Sequence, residues 1–240
     1  MLFRSLQLSG SLAVSQYFTP SDQRSDDQDD ADFGSGGAAV LADLPAGSPV
    51  THLVVGGGKD GNLYVLNRDV LGGLGDAAAV QKLAVGHGLF STGAFWNDHL
   101  YLAGAGGALS AYSLSLSQAQ FSLGSASSQV FGWPGGTPSV SAGGAQGGIV
   151  WILDNHVYCT KQSSACGAAV LHAYDATDMA HELWNSAMAT ADAAGNAVKF
   201  TVPTIANGKV YVGTRGNNTG GVYGSTTVSG ELDVYGLQAN

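Results

Sequence analysis

Four copies of one strand–turn–strand plan, alternation of apolar and polar residues within the strands, and 36 glycines in 240 residues together predict an all-β fold. The expected arrangement is a β-propeller of four-stranded antiparallel blades, about four of them and hence a partial propeller. The first copy runs through Phe33–Leu41, Thr51–Val55, the turn Gly56–Gly61 and Leu63–Arg68. The second takes Leu89–Trp96, His99–Ala103 and Leu109–Leu114. The third takes Phe131–Val140, Gly148–Leu153 and Val170–Asp175, and the fourth Phe200–Ile205, Lys209–Thr214 and Glu231–Tyr235. Corresponding positions Ala38, Ala94, Pro138 and Pro203 lie 56, 44 and 65 residues apart, which suits a blade of about 40 residues carrying insertions.

Turn chemistry supports each hairpin. Asn207-Gly208 between two apolar runs is a strong two-residue hairpin signal, and Asn97-Asp98 holds the same place in the second copy. Gly56-Gly-Gly-Lys-Asp-Gly61 has a phosphate-loop appearance but lacks the Gly-Lys-Ser/Thr ending and a following helix, so it reads as a turn. Outer strands are expected at Ala79–Leu83, Ala119–Leu123 and His181–Trp184. The fourth copy shows none, whereas Leu12–Phe18 is a strand with no copy before it. An N-terminal strand that pairs with the last blade and covers its edge accounts for both. Alternatively, it completes a preceding blade of a longer parent chain. The expected divisions are a non-native start at 1–5, an outer strand and acidic linker at 6–32, and blades at 33–83, 84–124, 130–186 and 198–237.

Composition narrows the partners. Eighteen acidic against nine basic side chains give a net charge of −9, which disfavours nucleic acid and anionic membranes, and no apolar run nears the ~18 residues of a spanning helix. Six of the eighteen acids fall between Asp22 and Asp32. Asp26, Asp27, Asp29, Asp30 and Asp32 are candidate ligands for a hard cation, although EF-hand spacing and its closing Glu are missing; a solvated linker is the alternative. Cys159 and Cys166, six residues between them, read as a local disulfide in an exported protein or as two reduced thiols otherwise. Met1–Val14 lacks the pattern of a signal peptide.

The segment Ala173-Tyr-Asp-Ala-Thr-Asp-Met-Ala-His-Glu-Leu-Trp184 resembles the blade-end motif of quinoprotein (PQQ) dehydrogenase-like propellers, A-x-D-x-x-T-G-x-x-x-W. Ala173, Asp175 and Trp184 match it, with the glycine absent and one residue more between Asp and Trp. Ala206–Thr214 is similar to that family's central hairpin. The resemblance implies a blade-docking role for Trp184, an extracellular or periplasmic location, and a C-terminal fragment of a propeller that closes six to eight blades. It also raises PQQ and calcium as cofactors. The adjacent cysteines and the calcium-binding Glu/Asn pair of those enzymes have no counterpart by motif.

No catalytic constellation emerges. The six histidines lie outside any H-E-x-x-H spacing, and no serine sits in G-x-S-x-G. Trp133, His87, Phe90 and Phe200 are the candidates for cofactor or ligand binding, because they stand near the starts of inner strands. The aromatics Phe33, Phe90, Trp133 and Phe200 either gather around one mouth of the axial channel or pack the inner core. The function expected is that of a binding or scaffold module recognising a ligand or protein at the propeller face. A quinoprotein-type oxidoreductase is the alternative, and a half-propeller that closes a ring as a homodimer is a further one.

Overall fold

The computed structural model of the chain describes residues 3–9, 11–160, 166–215 and 230–236. Its strands form β-propeller blades: successive antiparallel sheets, each following the order of the chain. Two compact units are distinguished, Met1–Thr92 with Tyr112–Leu123, and Gly93–Ala111 with Gly124–Asn240.

In the first unit, β1 (Phe3–Ser9) and β2 (Ser11–Thr19) form a hairpin, followed by the short helix α1 (Gln23–Gln28). The first blade consists of β3 (Phe33–Val40), β4 (Leu53–Gly58), β5 (Asn62–Asn67) and, after the two-residue β6 (Gly73–Leu74), β7 (Gln81–Ala84). Among the described residues the N-terminal strand does not pair with the last blade. Strand β2 pairs with β1 and, in parallel, with β6. The reason lies in Phe18, fully buried, whose ring meets Phe33 at 5.9 Å and Tyr64 at 5.2 Å. That aromatic contact assigns the strand to the face of the first sheet, where β6 offers it a backbone edge.

The acidic segment is also tied to this unit. Lys59 Nζ reaches Asp30 at 2.9 Å and Asp32 at 2.7 Å, and Lys82 Nζ reaches Asp22 at 2.8 Å and Asp76 at 3.1 Å. At the outer edge, Gln81 imitates a strand peptide: its Nε2 donates to Phe121 O and its Oε1 accepts from Phe121 N, both at 2.8 Å.

The next blade runs β8 (Ala94–Trp96), β9 (His99–Leu102), β10 (Gly107–Ser115) and β11 (Gln120–Phe131) from its inner to its outer edge. Its residues are shared between the two units. The third blade, wholly in the second unit, is β12 (Ser139–Gly143), β13 (Gln146–Asp154), β14 (Val170–Asp175) and β15 (Asp178–Asn185). The fourth is β16 (Thr204–Ala206), β17 (Lys209–Thr214) and β18 (Glu231–Gly236). Among the described residues β18 has no outer partner. Asn97 and Asp98 take φ of 48° and 61°, and Asn207 and Gly208 take 51° and 71°, the positive values required of tight two-residue hairpins.

Inner strand β12 lies against both β8 and β16, and Ser139 Oγ donates to Pro203 O at 2.7 Å. Trp96 of β8 lies on Gly148 of β13, where an added Cβ would come 2.5 Å from the indole, and its Nε1 donates to Gly144 O at 2.9 Å. Tyr101 donates to Ala176 O at 2.8 Å from the same buried cluster, which includes Leu109, Phe131, Val150, Ile152 and Tyr174. One device recurs between copies: a serine hydroxyl, Ser127 or Ser186, accepts the amide of Leu109 or Leu171 at 3.0 Å.

Asp175 closes the β14–β15 turn, accepting Thr177 N at 2.9 Å and Thr177 Oγ1 at 2.7 Å. Those bonds hold its carboxyl below the ordinary carboxylate range. The unfolded chain therefore takes up this proton first on acidification. The turn's contribution is complete above about pH 4 and is lost as pH falls through the folded value. Asp175→Asn is expected to flatten the decline in stability below about pH 4. Urea midpoints of the parent and variant proteins between neutral and acid pH measure this; parallel declines would remove Asp175 as a cause.

Candidate functional site

In an antiparallel blade the segment before the first strand, the connection from second to third and the exit from the fourth all lie at one end. For the third blade these are residues 132–138, 155–169 and 186–203. Each brings one aromatic side chain to the same place.

Trp133 follows the end of β11 in Gly132-Trp-Pro-Gly-Gly136. Gly132 is needed because a Cβ there would stand 2.6 Å from Cβ of His156, and Gly135 N closes the turn on Gly132 O at 2.7 Å. Tyr158 lies in the second segment beside Cys159, which is disulfide-bonded to Cys166. Within that loop Gly167 N donates to Val157 O at 2.9 Å. The third segment is fastened alongside: Ala169 N donates to Gly195 O and Ala197 N to Gly167 O, both at 2.9 Å. Further along, Lys199 and Phe200 form a turn in which Phe200 takes a φ of 64°, a left-handed conformation disfavoured for a bulky side chain. Thr201 Oγ1 donates back to Val198 O at 3.1 Å.

Together these elements make an aromatic enclosure. Trp133 lies 5.8 Å from Tyr158 and 6.3 Å from Phe200 between ring centroids, with interplanar angles of 51° and 71°. The Lys199 ammonium stands 4.8 Å from the Trp133 ring, 5.1 Å from Tyr158 and 5.5 Å from Phe200, all within cation–π range. Trp133 is 44% and Phe200 53% exposed, so the enclosure opens to solvent. Beside it, the buried Asp154 carboxylate accepts His156 N at 3.2 Å and lies 2.7 Å from His156 Nδ1. A carboxylate only accepts, so this contact places a proton on Nδ1 of the exposed ring. The chemistry available is stacking, one cation and one imidazole.

The other sequence candidates lie elsewhere. Phe33 is only 3% exposed and packs with Phe18 and Tyr64 in the first unit, a core residue that lines no mouth. His87 is exposed and Phe90 half-buried, both in the first unit on the segment leading to β8. Asp30 and Asp32 are held by Lys59, and Asp27 accepts Gln23 Nε2 at 3.2 Å; Asp26 has its carboxyl raised by burial and by the neighbouring Asp22 and Asp60. Among the described residues no three His, Cys, Asp or Glu side chains converge as a metal-ligand set. Ala173, buried, stands opposite Trp184 in the β14–β15 register, and the Trp184 ring meets Tyr235 of the fourth blade at 5.5 Å. A groove of about 770 Å³ runs beside that contact, lined by Ile149, Trp151, Trp184, Lys209 and Tyr235 among others. Tyr158, Lys199 and His156 were not singled out by sequence. Their convergence becomes visible once the three connections are known to share an end.

Fold and site together define a β-propeller-type repeat protein with an aromatic-lined loop end. No protein-family model matches the chain, and no curated protein matches it in sequence. Among solved structures it is similar to BamB from Moraxella catarrhalis, at 12% identity and a TM-score of 0.44, over 88% of this chain and 60% of that one. The chain thus spans about 60% of the length of that protein. Among the described residues no helix is long and apolar enough to cross a membrane.

The bond between Cys159 and Cys166 closes a loop with a sequence separation of 7, and opening it is expected to cost about 2–3 kcal/mol. Replacing both cysteines by serine is also expected to release Tyr158 from the Lys199 ammonium. The side-chain protons of Lys199, shifted by the ring currents, should then move toward their free-peptide positions. Unmoved Lys199 resonances would show that the loop keeps its place without the bond.

Proposed function

We propose that the chain is a binding module of the propeller class, recognising its ligand at the loop end of the third blade. The observation that carries this reading is the meeting of Trp133, Tyr158 and Phe200, from three separate connections, in an enclosure open to solvent. Loops fixed on a rigid sheet are where recognition residues concentrate. A disulfide and a left-handed phenylalanine fix these loops further. The same reading takes the chain as PQQ-like repeats from the C-terminal part of a larger exported propeller, Trp184 being the residue that docks one blade on the next. The disulfide fits an oxidising compartment outside the cytoplasm.

Amide spectra of labelled protein titrated with a library of small aromatic, anionic and cationic fragments test the site. Shifts are expected to concentrate on Gly132, Trp133, His156–Tyr158 and Lys199–Phe200. Shifts concentrated instead on the opposite turns, or spread evenly, would remove the loop end as the binding surface.

A second reading, quinone binding, is favoured by one feature of the same site. The half-exposed Trp133 offers a stacking face, and Lys199 beside it offers a charge for the carboxylates of PQQ. The acidic side chains do not extend to the metal, since no three His, Cys, Asp or Glu side chains converge among the described residues. Titration with PQQ, with and without calcium, is expected under this reading to quench Trp133 fluorescence, and Lys199→Ala to weaken the effect. An unchanged cofactor spectrum at saturating concentration would end it.

A further inference from the structure

The Lys199 ammonium has no carboxylate within ion-pairing distance among the described residues, although the chain carries eighteen acids to nine bases. It is turned instead toward three rings, at 4.8, 5.1 and 5.5 Å. These rings are not a stack: with interplanar angles of 51° and 71° to Trp133, Tyr158 and Phe200 stand as walls around a cation. A purely structural clamp would be expected to bury its aromatic surface, yet Trp133 is 44% and Phe200 53% exposed. The turn that carries Lys199 also holds Phe200 in a strained left-handed conformation, so the wall is set by backbone independently of where the lysine side chain goes.

From this we infer that Trp133, Tyr158 and Phe200 form a receptor for an alkylated ammonium group, with Lys199 as its built-in, displaceable occupant. The inference rests on the loop end being the binding surface and names the chemistry it selects. A primary ammonium is compact and strongly hydrated, so it gains little by leaving water for aromatic faces. A quaternary ammonium carries the same charge on a bulky, weakly hydrated group and fits such a cage better. Lys199 has a flexible four-carbon stem and an exposed position, and can swing into solvent when a better cation arrives. The ring faces and the net charge of −9 both favour a cationic ligand.

Lysine as occupant gives the test opposite signs for opposite ligands. Calorimetric titration uses choline chloride, its neutral isostere 3,3-dimethylbutan-1-ol, and benzoate, on the unaltered protein and on Lys199→Ala. Choline is expected to bind the unaltered protein more tightly than the isostere by about tenfold. Lys199→Ala is expected to tighten choline by about tenfold and to weaken benzoate. Trp133→Phe should weaken choline while leaving the melting temperature in place. Phosphatidylcholine vesicles against phosphatidylglycerol vesicles, in a flotation assay, separate a lipid headgroup from a free solute as the source of the ammonium. Equal binding of choline and its isostere, or weaker choline binding by Lys199→Ala, overturns the inference. If choline fails while other fragments still shift the loop-end amides, only the ligand class falls; if no fragment shifts them, the binding surface falls with it.

Discussion

Strand β4 buries all six of its residues and β5 buries its central four, so the two central strands of the first sheet have no solvent face. Both faces of such a sheet must be covered by something else, and most of the architecture answers that demand. On one face Phe18 from β2 covers Tyr64 and Leu66; on the other, Leu89 lies against Gly57, fixed by its amide on Gly58 O at 2.9 Å. In the second unit the same demand is met between blades, with Trp96 on Gly148, Tyr101 on Ala176 and Trp184 on Tyr235. Low charge follows directly, because a two-faced interior leaves few positions where an ionised side chain is tolerated.

The same constraint decides what remains available for recognition. When sheet faces are spent on one another, exposed side chains with freedom to meet a ligand come from the connections. Antiparallel order sends three connections of the third blade to one end. Two of them are then cross-linked by the backbone bonds among Gly167, Ala169, Gly195 and Ala197, while the disulfide closes the middle one. A cluster on unsupported loops would carry a large ordering cost on binding, and here much of that cost is met by the fold.

Legibility in the sequence follows the range of the interaction. The hairpins at Asn97-Asp98 and Asn207-Gly208 are local, need only positive φ at two neighbouring residues, and could be read directly. Repeat spacing and alternation likewise made the blades legible. Of the two readings of Leu12–Phe18, pairing with the last blade is not what forms, because a strand's own alternation does not say which sheet it covers; the deciding contact is Phe18 with Phe33 and Tyr64, remote in sequence. At the site, Trp133 and Phe200 stand out as aromatics near inner strands, but the same rule groups Phe33 with them, and of the two readings, channel mouth or core, Phe33 takes the core. Tyr158 and Lys199 carry no local signal at all. The recurring serine that accepts the Leu109 or Leu171 amide was present in the sequence too, unrecognised because its role lies in the outer-strand register.

Charge shows why the aromatic enclosure is more than a by-product of packing. Two of the five lysines, Lys59 and Lys82, each bridge a pair of carboxylates and fasten the acidic segment to the first unit. A lysine on the surface of so acidic a chain gains by finding a carboxylate, and these two do. Lys199 stands over Trp133, Tyr158 and Phe200 instead, where the attraction comes from ring faces and falls off steeply with distance. An arrangement that neutralises surface charge would place an acid beside it. One that distinguishes cations by their hydration would keep acids out of ion-pairing reach and present three rings; among the described residues Lys199 has those surroundings, and the nearby Asp154 carboxylate is engaged by His156.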